Sequence, residues 1–159
     1  FNVLVHERLE GAVDRELLGA CLARAVRAHD AFRLRFGEDG DGVPRVRRVP
    51  ETPDAPLSWD HLDLSGEPDP SGAVRARCEQ ELSRPLDLRD GPLFRAAVLT
   101  AGPDAVHLVL TAHHIVTDAW ALNALTLRIL SDYRIRASRN ALPASGEKDA
   151  DPVGRDDSP

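Results

Sequence analysis

Apolar residues along this chain change period several times, and each change marks an element. Val3 to Leu9 reads as a strand, closed by Gly11. Asp14 is placed to cap a helix whose apolar face is Leu17, Leu18, Cys21, Leu22, Ala25 and Val26, at spacings of three and four. That helix runs out near Asp30. Phe32 to Phe36 alternates Phe, Arg, Leu, Arg, Phe, as a strand with one buried face does, and Arg45 to Val49 returns as its partner across the glycines 37, 40 and 42. Glu51 to Pro70 is rich in proline and turn residues and reads as a surface connection. Ser71 to Ser83 reads as a polar helix carrying Val74, Cys78 and Leu82 at four-residue spacing. Leu93 to Leu99 and Val106 to Thr111 read as strands joined by the turn 101–104, the second apolar on both faces as in a covered sheet. Leu122, Leu125, Ile129 and Tyr133 line one face of a last helix ending near Arg139. The sum is an α/β chain of the α+β kind: a mixed sheet of about five or six strands with three helices packed on it.

Composition narrows the class. With 159 residues the chain suffices for one domain with its own core. Aromatics are only 4%, so that core is aliphatic and offers no stacking platform for single-stranded nucleic acid. The net charge of −6, without a basic stripe, argues against nucleic acid as a partner. No apolar run is long enough to span a membrane and no signal-peptide pattern opens the chain, so neither membrane nor export is expected. Cys21 and Cys78 sit among apolar neighbours and read as free buried thiols, which points to the cytoplasm. The chain opens at Phe1 without a Met, the expectation being a start inside a longer reading frame. From residue 144 onward there is almost nothing to bury, so 144–159 is expected to be a disordered tail or linker after a structured region 1–143.

One stretch reads as chemistry: Thr111-Ala112-His113-His114-Ile115-Val116-Thr117-Asp118-Ala119-Trp120, at the end of an apolar strand and before the last helix. Histidine exchanges protons near neutral pH. A metal site is disfavoured, since adjacent side chains in extended backbone point to opposite faces and no cysteine lies nearby. A nucleophile is also disfavoured, as there is no strained Gly-x-Ser-x-Gly turn and no Cys beside a His. The bland alternative is a pair of strand-end histidines bonded to backbone. The chemical one is a base or positioning group for acyl transfer.

The segment resembles the His-His-x-x-x-Asp-Gly motif of condensation domains from nonribosomal peptide synthetases, a family grouped with the chloramphenicol-acetyltransferase-like acyltransferases. Arg27 to Phe36 resembles that family's Arg-His-Glu-x-Leu-Arg-Thr-x-Phe motif, with Asp30, Phe32 and Leu34 as departures. Arg84 to Leu88 followed by Gly91 to Arg95 resembles the segment leading into the central strands, and Phe1-Asn2-Val3 with Leu9-Glu10-Gly11 resembles the first strand of the amino-terminal lobe.

The resemblance implies a chloramphenicol-acetyltransferase-like amino-terminal lobe over residues 1 to about 143, with a carboxy-terminal lobe missing. It implies that His114 faces the reaction centre, that His113 supports its loop, and that Asp118 is structural and pairs with Arg33 as a buried ion pair. The motif's Gly is Ala119 here; the swap is harmless if that position is helical and costs about 1 kcal/mol if it needs positive φ. Partners would be aminoacyl and peptidyl carrier proteins presenting substrates on phosphopantetheine arms, with no cofactor or metal bound directly. Peptide-bond formation is the activity implied for the parent domain, while the lobe alone is expected to be inactive. Two rival readings remain: a non-catalytic module that docks a carrier protein or a second lobe, and a free-standing acyltransferase using a soluble acyl thioester such as acyl-CoA.

Overall fold

The computed structural model describes residues 1–50 and 59–141. The chain runs β1 (Asn2–Glu10), α1 (Arg15–Arg27), a 3-10 turn (Asp30–Arg33), β2 (Leu34–Glu38), β3 (Pro44–Arg48), β4 (Trp59–Asp63), α2 (Pro70–Ser83), β5 (Phe94–Gly102), β6 (Ala105–His113) and α3 (Ala119–Ala141). Four strands form one sheet in the order β1-β6-β5-β4, and β2 and β3 form a separate hairpin. The six strands are thus divided between two sheets, where the sequence pattern suggests one. The main sheet is mixed: β5–β6 and β1–β6 are antiparallel, while β4 runs parallel to β5.

Alternation along β5 and β6 sorts the core into two layers. Phe94, Ala96, Val98, Leu108, Leu110 and Ala112 face α1 and α3. Ala97, Leu99 and Val109 face α2 with Val74. A central pair apolar on both sides is what helices on both faces require. The stretch β4-α2-β5 is a crossover unit, and a parallel neighbour of β5 needs that connection.

The helix predicted after Asp14 forms, and Asp14 Oδ1 accepts from the Leu17 amide at 3.0 Å. The Tyr133 hydroxyl accepts from the Asp14 amide at 2.9 Å, so the second half of α3 fixes the start of α1. Gly19, in the middle of α1, lies under the Trp59 ring: a Cβ there would come within 2.9 Å of Trp59 Cζ2. This close approach accounts for a glycine where Ala would favour the helix by roughly 1 kcal/mol.

Three sequence expectations need correction. Phe32 is not a strand residue; it sits in the 3-10 turn, buried against Phe94 with ring centroids 4.8 Å apart, and the strand begins at Leu34. The connection after Glu51 contains β4, whose Trp59 and Leu62 pack into the two layers. On α2 the buried face is Val74 with Glu81, while Leu82 is exposed. Both cysteines are free thiols, Cys21 buried and Cys78 half-buried. The expected tail at 144–159 lies outside the described residues.

Candidate active site

The histidine segment sits where β6 runs out between its neighbours. The His113 amide donates to the Leu93 carbonyl just before β5, and the His114 amide donates to the Phe1 carbonyl before β1, each at 3.0 Å. β6 ends at His113, and His114 opens a turn closed by the Val116 amide donating to the His113 carbonyl at 3.1 Å. Ile115 and Val116 divide: Val116 packs against the main core, whereas Ile115 is 48% exposed. Only Val116 of this apolar pair therefore serves the core.

The two imidazoles are used differently. His113 is half-buried, and its Nδ1 accepts from the Ile115 amide at 3.1 Å, which shapes the turn. Its Nε2 lies 3.3 Å from the Phe1 nitrogen. Burial above all pushes its pKa below the usual histidine value. His114 is exposed, and its ring leans on Phe1 with centroids 4.6 Å apart at 58°. Phe1 entered the sequence argument only as the start of a strand. Nothing in a lone terminal Phe signals contact with a residue more than a hundred positions away.

Asp118 belongs to the helix that follows. Its Oδ1 accepts from the Ala121 amide at 2.7 Å and its carbonyl from the Leu122 amide at 2.9 Å, which is N-cap geometry for α3. Asp118 is exposed, and no ion pair joins it to Arg33 among the described residues. Arg33 instead pairs with Asp30, which also takes Arg48 at 2.6 Å. The expected buried Arg33–Asp118 pair is therefore replaced by two local arrangements: an aspartate three residues before Arg33, and a helix N-terminus beside Asp118. Ala119 is the first residue of α3, and no non-glycine residue has positive φ among the described residues, so its Cβ meets no backbone strain.

The buried charges lie elsewhere. Arg95 on β5 and Glu81 on α2 are 8% and 3% exposed, with Nε to Oε2 at 2.9 Å. Arg95 also donates to the carbonyls of Glu81, Arg84 and Pro85, at 2.9–3.1 Å. Arg77 bridges Glu81, at 2.6 Å, to Asp60 on β4, at 2.9 Å. The Asn2 amide adds bonds to the Leu82 and Arg84 carbonyls at 3.1 and 2.7 Å. The open carbonyls at the end of α2 are thus met by side chains from β5 and β1, which bracket the strand that carries the histidines. The signal available in sequence was a lone Arg opening an apolar strand.

Exposed apolar side chains accompany His114: Phe1 lies against its ring, Ile115 is the next residue, and Trp120, in the first turn of α3, is 85% exposed. Cys21 is no rival nucleophile, because burial and then its contact with Asp132 push the thiol pKa to about 11.

Residues 1–149 match the family model described as Condensation domain, and the chain belongs to that family. It is 29% identical over 133 residues to a dimodular nonribosomal peptide synthase of Bacillus subtilis (strain 168), covering 84% of this chain and 5% of that one. It is 34% identical over 127 residues to the phosphinothricin tripeptide synthetase PhsC of Streptomyces viridochromogenes, covering 79% and 11%. The fold superposes on the starter condensation domain of rhizomide synthetase RzmA with a TM-score of 0.76 at 26% identity, covering 91% of this chain and 34% of that one. The first condensation domain of the CDA synthetase gives 0.76 at 25% identity, with 91% and 37% covered. The chain thus spans about a third of the solved condensation-domain chains, corresponding to the amino-terminal part of the domain, and a small fraction of the synthetases. Among the described residues no helix is long and apolar enough to cross a membrane.

Proposed function

We propose that this chain is the amino-terminal lobe of a condensation domain that joins two carrier-protein-bound aminoacyl or peptidyl thioesters in nonribosomal peptide synthesis, with His114 at the reaction centre. The observation that carries this reading is the exposed His114 ring just past the end of the central strand, with the exposed apolar side chains of Phe1 against it and Ile115 beside it in the chain. A single exposed apolar side chain is ordinary, but several around one imidazole mark a surface that another part of a protein covers. A second lobe there would close His114 into a cleft.

The chemistry asks for placement and one proton movement. The acceptor amine attacks the thioester carbonyl, the C–N bond forms, and the tetrahedral intermediate collapses with loss of the donor's thiolate. The amine proton ends on that sulfur. His114 can carry it, or donate a hydrogen bond to the intermediate's oxygen. His113 holds the turn, with Nδ1 committed to the Ile115 amide. Substrates arrive on phosphopantetheine arms of partner carrier proteins, so no cofactor is needed in the lobe. Aligning both arms lowers the barrier through effective concentration. This reading places the chain in the cytoplasm with its carriers.

The test is single-turnover dipeptide formation with a loaded donor carrier and an acceptor carrier. The chain alone is expected to give no dipeptide. The same chain joined to the rest of the domain is expected to give it, and His114→Ala there to lose about 10²-fold or more. Retained activity in His114→Ala, with loss in His113→Ala, would overturn the assignment.

A further inference from the structure

The β2–β3 hairpin stands apart from the main sheet, and its pairing register puts Arg35 directly opposite Arg47 and Gly37 opposite Arg45. Residues two apart on a strand share a face, so Arg35, Gly37, Arg45 and Arg47 lie on one face of the ribbon, with Leu34, Phe36, Val46 and Arg48 on the other. Like charges directly opposite each other in a ladder are unfavourable. Here the pair is reinforced, because Arg89 reaches the same face and lies 4.0 Å from where a Gly37 side chain would begin. With no side chain at Gly37, the guanidinium groups, together with Phe36 and Glu38, border a shallow open concavity of about 220 Å³.

Acids answer part of this charge, since Asp90 and Asp87 both act on Arg35 and Asp87 also acts on Arg89. Arg45 is held by Asp39 at 2.7 Å, but Arg47 approaches Asp90 no closer than 3.9 Å. Arg35 is tied to the carbonyls of Phe32, Leu34 and Asp90, which orient it without neutralising it. Burial first, and Arg47 second, hold the Arg35 pKa below its ordinary value. All this occurs on a chain of net charge −6. The ribbon thus sets Arg35 opposite Arg47 beside a glycine, and among the described residues only Arg45 of the four has a carboxylate oxygen within 3 Å.

We propose that this arginine face is an oxyanion site for a phosphate dianion, free or as a phosphate monoester. Guanidinium forks match phosphate oxygens in pairs, and four of them around one open floor favour a dianion over chloride. The site does not rest on the peptide-bond reading, since it involves neither histidine of the motif.

Thermal unfolding of the chain at constant ionic strength tests it, with chloride exchanged for inorganic phosphate or for glycerol 3-phosphate. At tenfold excess over the dissociation constant, either phosphate is expected to raise the midpoint by about 3 °C. A larger rise with glycerol 3-phosphate identifies the ester as the ligand, and equal rises identify the phosphate group alone. Arg47→Thr removes a like-charge pair but also the 3.1 Å bond to the Arg89 carbonyl, so its midpoint in chloride is expected to stay near that of the parent, while the phosphate-dependent rise is lost. Arg89→Gln should lose it too, while Arg75→Gln on α2 keeps it. The proposal is overturned if phosphate does no more than chloride, or if Arg47→Thr and Arg89→Gln retain the full rise.

Discussion

Arg95 on β5 reaches Glu81 on α2 at 2.9 Å, and the same guanidinium closes three carbonyls at the end of that helix. The two partners are not equally dependent on each other. Without Arg95, Glu81 keeps Arg77, but the helix end loses three donors in a buried setting. Without Glu81, Arg95 keeps its carbonyls. Arg95→Met is therefore expected to cost about 3 kcal/mol, and Glu81→Gln about half of that. Urea unfolding of the two variants measures the difference. Equal losses would show that the carboxylate, not the carbonyl set, holds the arginine.

Asp118 acts as a cap, which sets the size of its effect. Asp118→Ala is expected to cost about 1 kcal/mol, the usual loss of an N-cap, and Asp118→Asn almost nothing, because the amide oxygen still accepts from the Ala121 amide. A buried ion pair would instead cost several kcal/mol in both variants. Thermal denaturation of the pair of variants separates the two, and a large loss in Asp118→Asn would restore the charge-pairing role.

Ala119 sits at the first position of α3, so Ala119→Gly is expected to lower stability, by up to about 1 kcal/mol, and never to raise it. A gain on substitution would mean that the backbone there favours positive φ.

Stability should fall below neutral pH through two histidines. His107 Nδ1 lies 2.7 Å from His6 Nε2 across β1 and β6, and burial, then His6 and Arg8, depress the His107 pKa. His113 is depressed as well, first by burial. Each group binds its proton more readily unfolded than folded. The contribution is therefore complete above the ordinary histidine value near 6.5, and is lost as pH falls through that value toward the lower folded one. Unfolding midpoints measured from pH 7.5 downward should decline, and His107→Gln should flatten part of that decline. An unchanged slope in His107→Gln would assign the effect elsewhere.

The sequence was most readable where one period ran for several turns. The apolar faces of α1 and α3 and the doubly apolar β6 each needed only the hydrophobic pattern, and the structure has them with ends shifted by up to three residues. β4 escaped because Trp59-Asp60-His61-Leu62-Asp63 is short, mostly polar and set among prolines. An edge strand needs few apolar residues, and its partner β5 supplies the pairing. Phe32 continued an alternation that the backbone does not follow, since burial against Phe94 is available from a 3-10 turn. At the histidines, the order strand, turn and helix was legible from local residues. Their bonds to Leu93 and Phe1, and the choice of Asp30 rather than Asp118 by Arg33, depend on chain segments far apart in sequence.

The hydrogen bonds from His113 to Leu93 and from His114 to Phe1 bind two consecutive residues to opposite neighbours of one strand. The aim of the exposed imidazole is thus a property of the phase of β6 within the sheet, not of the loop itself. Sliding β6 by one residue would turn one histidine inward, bring an alanine outward, and reverse every apolar side chain behind them at the same time. The buried layers act as a ratchet that admits a single setting, so the packing that keeps the chain folded also fixes the direction in which the imidazole points.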